Sequence, residues 1–406
     1  MTQNAASEPA PDSEAYVRTE VRDGTGIIVL DRPKALNALT ARMYRDMLEA
    51  LWAWRDDDAV TQVLVTTSAP RAFCSGGDIR QIRDAVLDDR FEDGVAAFTD
   101  EYSLDLVIAQ YPKPYVAVME GYTMGGGMGI SVHGSHRIVT DTTVMCMPET
   151  AIGFFPDIGA SWFLPRVSLL GRGPSLGVGR WMGLTGARIS GPDALAIGLA
   201  DNFVPESRLE AFKEAVVSDG VAAAVAEHSA GPGENDGIPE ASLPERWDEI
   251  EELYGADTLG EILVKAPAED LAGASPSSLV RTWELLERGA EAESLQECLE
   301  RELALAADTI VSPDFAEGVR CTMIDKQDEP QWSPATVSEV DVEAIRRVLD
   351  QPGQLRTRPK PPLTAPSGSP VALSGRTAQL GIHSAVRGRV SRAGRPGRAG
   401  CSRGPG

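Results

Sequence analysis

The run GIIVLDRP (26–33) is β-branched, stops at a proline and predicts a strand. In LTARMYRDMLEALWAWRDDD, which follows it, Met43, Met47, Leu48, Leu51 and Trp54 recur at helical spacing and predict a helix with one apolar face. VTQVLVTTS (60–68) predicts a second strand, then a turn-rich APRAFCSGGDIRQI leads into a helical region that runs through residue 110. KPYVAVME (113–120) predicts a third strand, GYTMGGGMGISVHG follows it, and HRIVT and TTVMCM predict two more short ones. Strands alternating with helices imply an α/β fold with crossover connections. Beyond about residue 205 the pattern turns helical, broken by HSAGPGENDGIPEAS (228–242). SSLVRTWELLERG and LQECLERELALAADTIV are amphipathic helices, and no internal repeat is evident.

Composition changes this picture at the ends. The chain has 406 residues, 42% hydrophobic, with a net charge of −22. That charge argues against nucleic acid as a partner, which needs a basic face, but not against a phosphorylated ligand held by a few local groups. No run of about 18 uncharged apolar residues occurs, so no membrane span is expected. Cys74, Cys146, Cys298, Cys321 and Cys401 are odd in number and scattered without a C-x-x-C pair, which fits reduced thiols and no zinc site. The first eighteen residues carry no basic residue before Arg18 and no apolar stretch, so the expectation is a cytoplasmic protein with neither a secretory signal nor a transit peptide. Residues 351–406 hold ten basic residues and no acidic one, are rich in Pro, Gly and Ser, and are expected to be a disordered basic tail.

Two glycine segments carry candidate chemistry. FCSGGDI (73–79) joins a strand to a helix, and GYTMGGGMGIS (121–131) opens a helix on a glycine triplet. Each leaves backbone N–H groups free to point at a ligand. Neither matches the dinucleotide or P-loop spacing, and no G-x-S-x-G elbow is present. Two such amides converging on one oxygen make an oxyanion hole. The third segment, CMPETAIGFFPDIGASWFLPR (146–166), places Glu149 and Asp157 each directly after a proline in otherwise apolar surroundings. A carboxyl desolvated in that way has a raised pKa and can serve as base or nucleophile. His133 and His136 read as structural, Met145 and Met147 as core, and Cys74 and Cys146 lack a histidine partner.

Together LDRPKALNAL, AFCSGGDI, KPYVAVMEGYTMGGGMGISVHG and MPETAIGFFPDIGASWFLPR resemble the crotonase (enoyl-CoA hydratase/isomerase) superfamily. SVHG, MPETAIGFFPD and FAEGVRCTMIDKQDEPQWSP (315–334) resemble its 3-hydroxyisobutyryl-CoA hydrolase branch, over roughly residues 16–350. The resemblance implies a ββα spiral core over 16–205 that binds acyl-CoA, a C-terminal helical region over 206–350, and no counterpart for the tail. It implies that the thioester oxygen is held by the Gly77 and Gly126 amides. Lys34, Ala35 and Leu36 would line the coenzyme A channel, with Ser75, Asp78 and Ile79 towards the adenine. Hydratases carry a glutamate where this chain has Gly129, and their second glutamate corresponds to Glu149. The hydrolase branch pairs Glu149 with Asp157, and Glu101 matches a glutamate that touches the acyl portion. The expected reaction is hydrolysis of 3-hydroxyisobutyryl-CoA, as in valine catabolism, by way of an anhydride on Glu149 or a water it activates. Glu101 and Asp157 are both candidates to bind the 3-hydroxyl. No cofactor or metal is expected, coenzyme A being part of the substrate, and copies of the chain are expected to be able to assemble. The alternatives are a hydratase or isomerase of the same fold and a non-catalytic binding protein.

Overall fold

The computed structural model describes residues 15–231, 237–326 and 328–355. The chain divides into a unit over 1–359 and another over 360–406, and the second lies wholly outside the described residues. So do all but the last of residues 1–15, expected to be a disordered N-terminus, most of the basic tail and part of the 228–242 loop.

Among the described residues ten strands form two sheets. In chain order the elements through the site are β1 (Val17–Arg22), β2 (Thr25–Leu30), α1 (Ala41–Arg55), β3 (Gln62–Thr67), β4 (Ala72–Cys74), α2 (Ile79–Leu87) and α3 (Phe91–Ala109). They continue as β5 (Tyr115–Met119), β6 (Tyr122–Met124), α4 (Gly126–Val132), β7 (His136–Val139), β8 (Val144–Cys146), β9 (Ile189–Ser190) and β10 (Asn202–Phe203). The larger sheet runs β1-β2-β3-β5-β7-β10, parallel except for the β1–β2 hairpin. The smaller runs β4-β6-β8-β9, parallel except at β9. From β3 to β8 the chain alternates between the sheets, with helices in the connections from β4 to β5 and from β6 to β7, so the α/β expectation with crossovers holds.

The central strands β2, β3 and β5 of the larger sheet are buried on both faces, which is why they read as largely apolar runs, whereas the edge strand β1 is exposed beyond Val17. Ile27, Leu64, Val116, Val118 and Ile138 on one face pack against Leu209, Phe212 and Val216 of the helix Glu206–Asp219. Ile28, Val63, Val65, Ala117, Met119 and Val139 on the other belong to the main core. The side-chain period of two along each strand produces this division. The helix α1 is capped by Thr40, whose hydroxyl accepts from the Met43 N–H, and it buries the predicted stripe together with Tyr44.

Sequence periodicity does not detect β4, β6, β9 or β10, because two or three residues carry no readable period. Three of the four strands of the small sheet, β4, β6 and β8, run parallel and end beside one another. Their carboxyl ends are where the candidate site lies.

Candidate active site

The turn after β4 carries Ser75, Gly76 and Gly77, the turn after β6 carries Gly125 and Gly126, and that after β8 carries Pro148 and Glu149. Three consecutive parallel strand ends thus deliver both predicted amides and the predicted acid to one place, the usual position of a ligand in a parallel sheet. The first turn is pinned to the segment before α1: Leu39 N–H donates to the Gly76 carbonyl (2.8 Å), Asp78 N–H to that of Leu39 (2.8 Å) and Ser75 N–H to that of Leu36 (3.0 Å). In the second turn Gly125 has φ +47° and ψ −123°, a backbone that a side chain would strain, and a Cβ there would lie 2.5 Å from Glu149 Oε1. Among the described residues neither the Gly77 nor the Gly126 amide N–H has an acceptor. A Cβ built on Gly126 would lie 3.2 Å from Gly77 N, so the two loops meet closely.

These residues line a cavity of about 160 Å³ with Glu101, Glu149, Asp157, Ser75, Ile79, Phe98, Phe154, Thr322 and Met323. Thr322 and Met323 come from a π-helical turn, Arg320–Asp325, near the end of the helical region. Asp78 lines a neighbouring cavity and pairs with Arg32 at 2.8 Å. Lys34, Ala35 and Leu36 do not line the site cavity; Lys34 is exposed and Ala35 lies behind Ser75, whose hydroxyl donates to its carbonyl (3.3 Å).

Five carboxyls are buried in and behind this cavity, Glu101, Asp105, Glu149, Asp157 and Glu302, and none pairs with a described cation. Tyr44 donates to Glu101 Oε1 and Tyr102 to Asp157 Oδ2, both at 2.6 Å. Glu149 Oε2 and both oxygens of Asp105 have no described partner. Burial, then the charge of Asp157, holds Glu149 and Glu101 well above the usual carboxylate range. Asp157 itself is pushed up to about 7 by burial, against the Tyr102 hydrogen bond that favours its charged form. Burial pushes the Cys74 and Cys146 thiols up to about 12, so both stay protonated.

A carboxyl whose pKa is higher folded than unfolded stabilises the fold below its unfolded pKa, and that contribution is lost as pH rises towards the folded value. For Asp157 the window runs from 3.8 to about 7, and for Glu302, also raised by burial, from 4.5 to about 8. The melting temperature should therefore fall as pH rises from about 5 to about 8. The fall should be shallower in Asp157→Asn. Equal slopes in the two proteins, measured by thermal unfolding, would show that Asp157 does not titrate in this window.

The turn that presents Asp157 is unusual. Ile158 has φ +56° and Gly159 φ +80°. A β-branched residue in the left-handed region costs on the order of 1–3 kcal/mol, so the surroundings must hold it there.

Of the predicted site residues, Gly77, Gly126, Glu149, Asp157, Glu101, Ser75 and Ile79 surround one cavity. Tyr44, Tyr102, Asp105 and Glu302 escaped sequence reading. Tyr44 lies within the apolar stripe of α1, and Glu302 reads as one more acid in a charged helix. The only available signal was Tyr102 adjoining Glu101.

A family model described as enoyl-CoA hydratase/isomerase matches residues 25–349. The chain belongs to that family. It is 36% identical to the mitochondrial 3-hydroxyisobutyryl-CoA hydrolase of Gallus gallus, over 82% of this chain and 88% of that protein. It is 32% identical to 3-hydroxyisobutyryl-CoA hydrolase 1 of Arabidopsis thaliana, over 84% and 92% of the two chains. Among solved structures it is similar to a carnitinyl-CoA dehydratase from Mycobacterium thermoresistibile. That pair shares 37% identity at a TM-score of 0.75, covering 86% of this chain and 98% of the other.

Proposed function

We propose that the chain hydrolyses a 3-hydroxyacyl-CoA thioester, with 3-hydroxyisobutyryl-CoA as the preferred substrate and 3-hydroxyisobutyrate and coenzyme A as products. The observation that carries this reading is Glu149, buried with an unpartnered Oε2 in a cavity shared with two acceptor-free glycine amides. The curated relatives of that name support the substrate. In the proposed reaction the thioester oxygen accepts from Gly77 and Gly126, which stabilises the negative charge of the tetrahedral intermediate. Glu149 removes a proton from an attacking water, or attacks the carbonyl itself to give an anhydride that water then opens. The C–S bond breaks, and the departing sulfur takes the proton that Glu149 removed from water or, on the anhydride route, one held by Asp157 that the later water restores. Glu101 Oε1 is engaged by Tyr44, which leaves Oε2 for the 3-hydroxyl of the acyl group, with Asp157 the other candidate. The chemistry draws only on these groups and water, so the reading includes no resident cofactor. It places the enzyme in valine catabolism. The four described cysteines are free and buried, which suits a reducing compartment such as the cytoplasm; the Gallus gallus relative is called mitochondrial. No described helix is long and apolar enough to cross a membrane. Assembly of copies of the chain is a further expectation.

The second reading, hydration of an enoyl thioester, follows from the dehydratase among the solved relatives. It needs a second acid on α4, and Gly129 leaves no space for one: a Cβ there would lie 2.8 Å from Asp105 Oδ1 and 2.9 Å from Ile158 Cβ. Gly129→Ala should accordingly destabilise the fold by roughly 1–3 kcal/mol, seen as a lower melting temperature. An unchanged melting temperature would mean that the space can open. The deciding assay offers the protein 3-hydroxyisobutyryl-CoA and, separately, methacrylyl-CoA, and follows thiol release and enoyl absorbance. Thiol from the hydroxy ester supports hydrolysis. Enoyl loss without thiol would replace it with hydration, and silence in both would favour a binding protein.

A further inference from the structure

We propose that Glu302 and His133 are positioning residues that lock the single peptide unit between Ile158 and Gly159, and so fix the direction in which Asp157 faces the substrate. The inference rests on the reading of Asp157 as part of the reacting site. Glu302 lies in the helix Leu295–Thr309, far from the cavity in sequence, and has no exposed surface. Its Oε2 accepts from Gly159 N–H (2.7 Å), and its Oε1 accepts from Ser161 N–H (3.0 Å) and the Ser161 hydroxyl (2.6 Å). His133, the residue that ends α4, approaches from the opposite side, with Nε2 2.8 Å from the Ile158 carbonyl oxygen. A carbonyl only accepts, so Nε2 carries the proton, and burial keeps the ring neutral by lowering its pKa to about 4. Both poles of one peptide are therefore held by buried side chains, its C=O by His133 and its N–H by Glu302.

That peptide is the one whose orientation needs holding. It joins Ile158 and Gly159, both left-handed, and Ile158 directly follows Asp157. Gly159 has no room for a side chain, because a Cβ on it would lie 2.9 Å from the His133 ring and 2.6 Å from Leu295 Cδ1. If Glu302 served only to pack its helix, an apolar side chain would do so without burying an acid that lacks a cation. Its hydrogen bonds among the described residues instead go to Gly159 and Ser161. Released at either pole, the peptide can rotate, Ile158 can leave the left-handed region, and Asp157 loses its fixed direction.

The test uses Glu302→Gln, whose one amide oxygen leaves either the Gly159 or the Ser161 N–H facing a donor, and His133→Phe, which keeps the ring packing on Phe163 but removes the donor. Hydrogen exchange on the full chain should show faster exchange of the Gly159 or Ser161 amide in both variants, with the rest of the fold protected as in wild type. Thiol release from 3-hydroxyisobutyryl-CoA should fall roughly 10- to 100-fold in kcat, the scale of a misplaced catalytic group, while KM stays nearly constant. Glu302→Gln added to Asp157→Asn should cost nothing further, because the effect runs through Asp157. Unchanged exchange at Gly159 and Ser161 in folded variants would overturn the clamp, whatever the wild-type chain does to thioesters. Faster exchange with unchanged kcat, or losses that add to those of Asp157→Asn, would overturn its link to the reaction. Absence of thiol release from wild type would remove the proposed function, and the exchange measurement would still decide whether the peptide is clamped.

Discussion

Glu149→Gln is expected to lower thiol release from 3-hydroxyisobutyryl-CoA by at least about 10³-fold while leaving KM within a few-fold of wild type. The carboxyl reaches the cavity from the end of β8, with Oε1 against Gly125 and Oε2 unpartnered. No described cysteine or histidine in the cavity lining can take over its role. Burial and the neighbouring Asp157 keep its pKa high, which makes it a strong base once ionised and costs the fold stability at the same time. The variant should therefore unfold at no lower temperature than wild type near pH 8, since the glutamine has no charge to desolvate. Retention of a tenth or more of the wild-type rate would remove Glu149 from the centre of the reaction. A rate lost together with the fold would identify it as a structural acid instead.

Gly126→Ala is the second large effect. A methyl group here would meet Glu101 Oε1, the Tyr44 hydroxyl at 3.1 Å and Gly77 N at 3.2 Å, in the gap between the two amides that would receive the thioester oxygen. Alanine keeps the N–H, but its methyl would hold the thioester oxygen out of reach of it, and an oxyanion contact is worth about 2.7–4 kcal/mol of transition-state stabilisation, so kcat should fall on the order of 10²- to 10³-fold. Alanine suits the first turn of α4 better than glycine does, and the nearest clash is with the movable end of Glu101. The melting temperature should thus hold within a few degrees. Comparable losses in Gly126→Ala and Gly77→Ala, with the fold intact in both, would fit a shared oxygen site. Unaltered kinetics in Gly126→Ala would place the thioester elsewhere.

The long strands and amphipathic helices were legible in the sequence because each repeats its pattern over several residues. β2, β3 and β5 are continuous apolar runs, and α1 shows its buried stripe. The helix α3 was harder to place. Buried on most sides from Ala97 onward, it carries Asp100, Glu101 and Asp105 inside, so a segment that reads as a polar helix face is interior. The glycine loops, Glu149 and Asp157 could be named because short contiguous motifs carry them. Their meeting in one cavity depends on the small sheet, whose strands are too short for periodicity to show.

What the sequence by itself determined is local: the kinds of element, the two amide-bearing turns, and which acids follow a proline in apolar surroundings. Only the tertiary structure decided how those acids are held. Tyr44 reaches Glu101 across 57 residues, Tyr102 reaches Asp157 across 55, and Glu302 reaches Gly159 across 143. Hydrogen bonds of that separation leave no period or spacing in the chain, because they form only after the sheets stack and the C-terminal helices close over α3 and the Asp157 turn. The raised pKa values have the same origin: desolvation belongs to the packed interior, not to the residues that end up inside it.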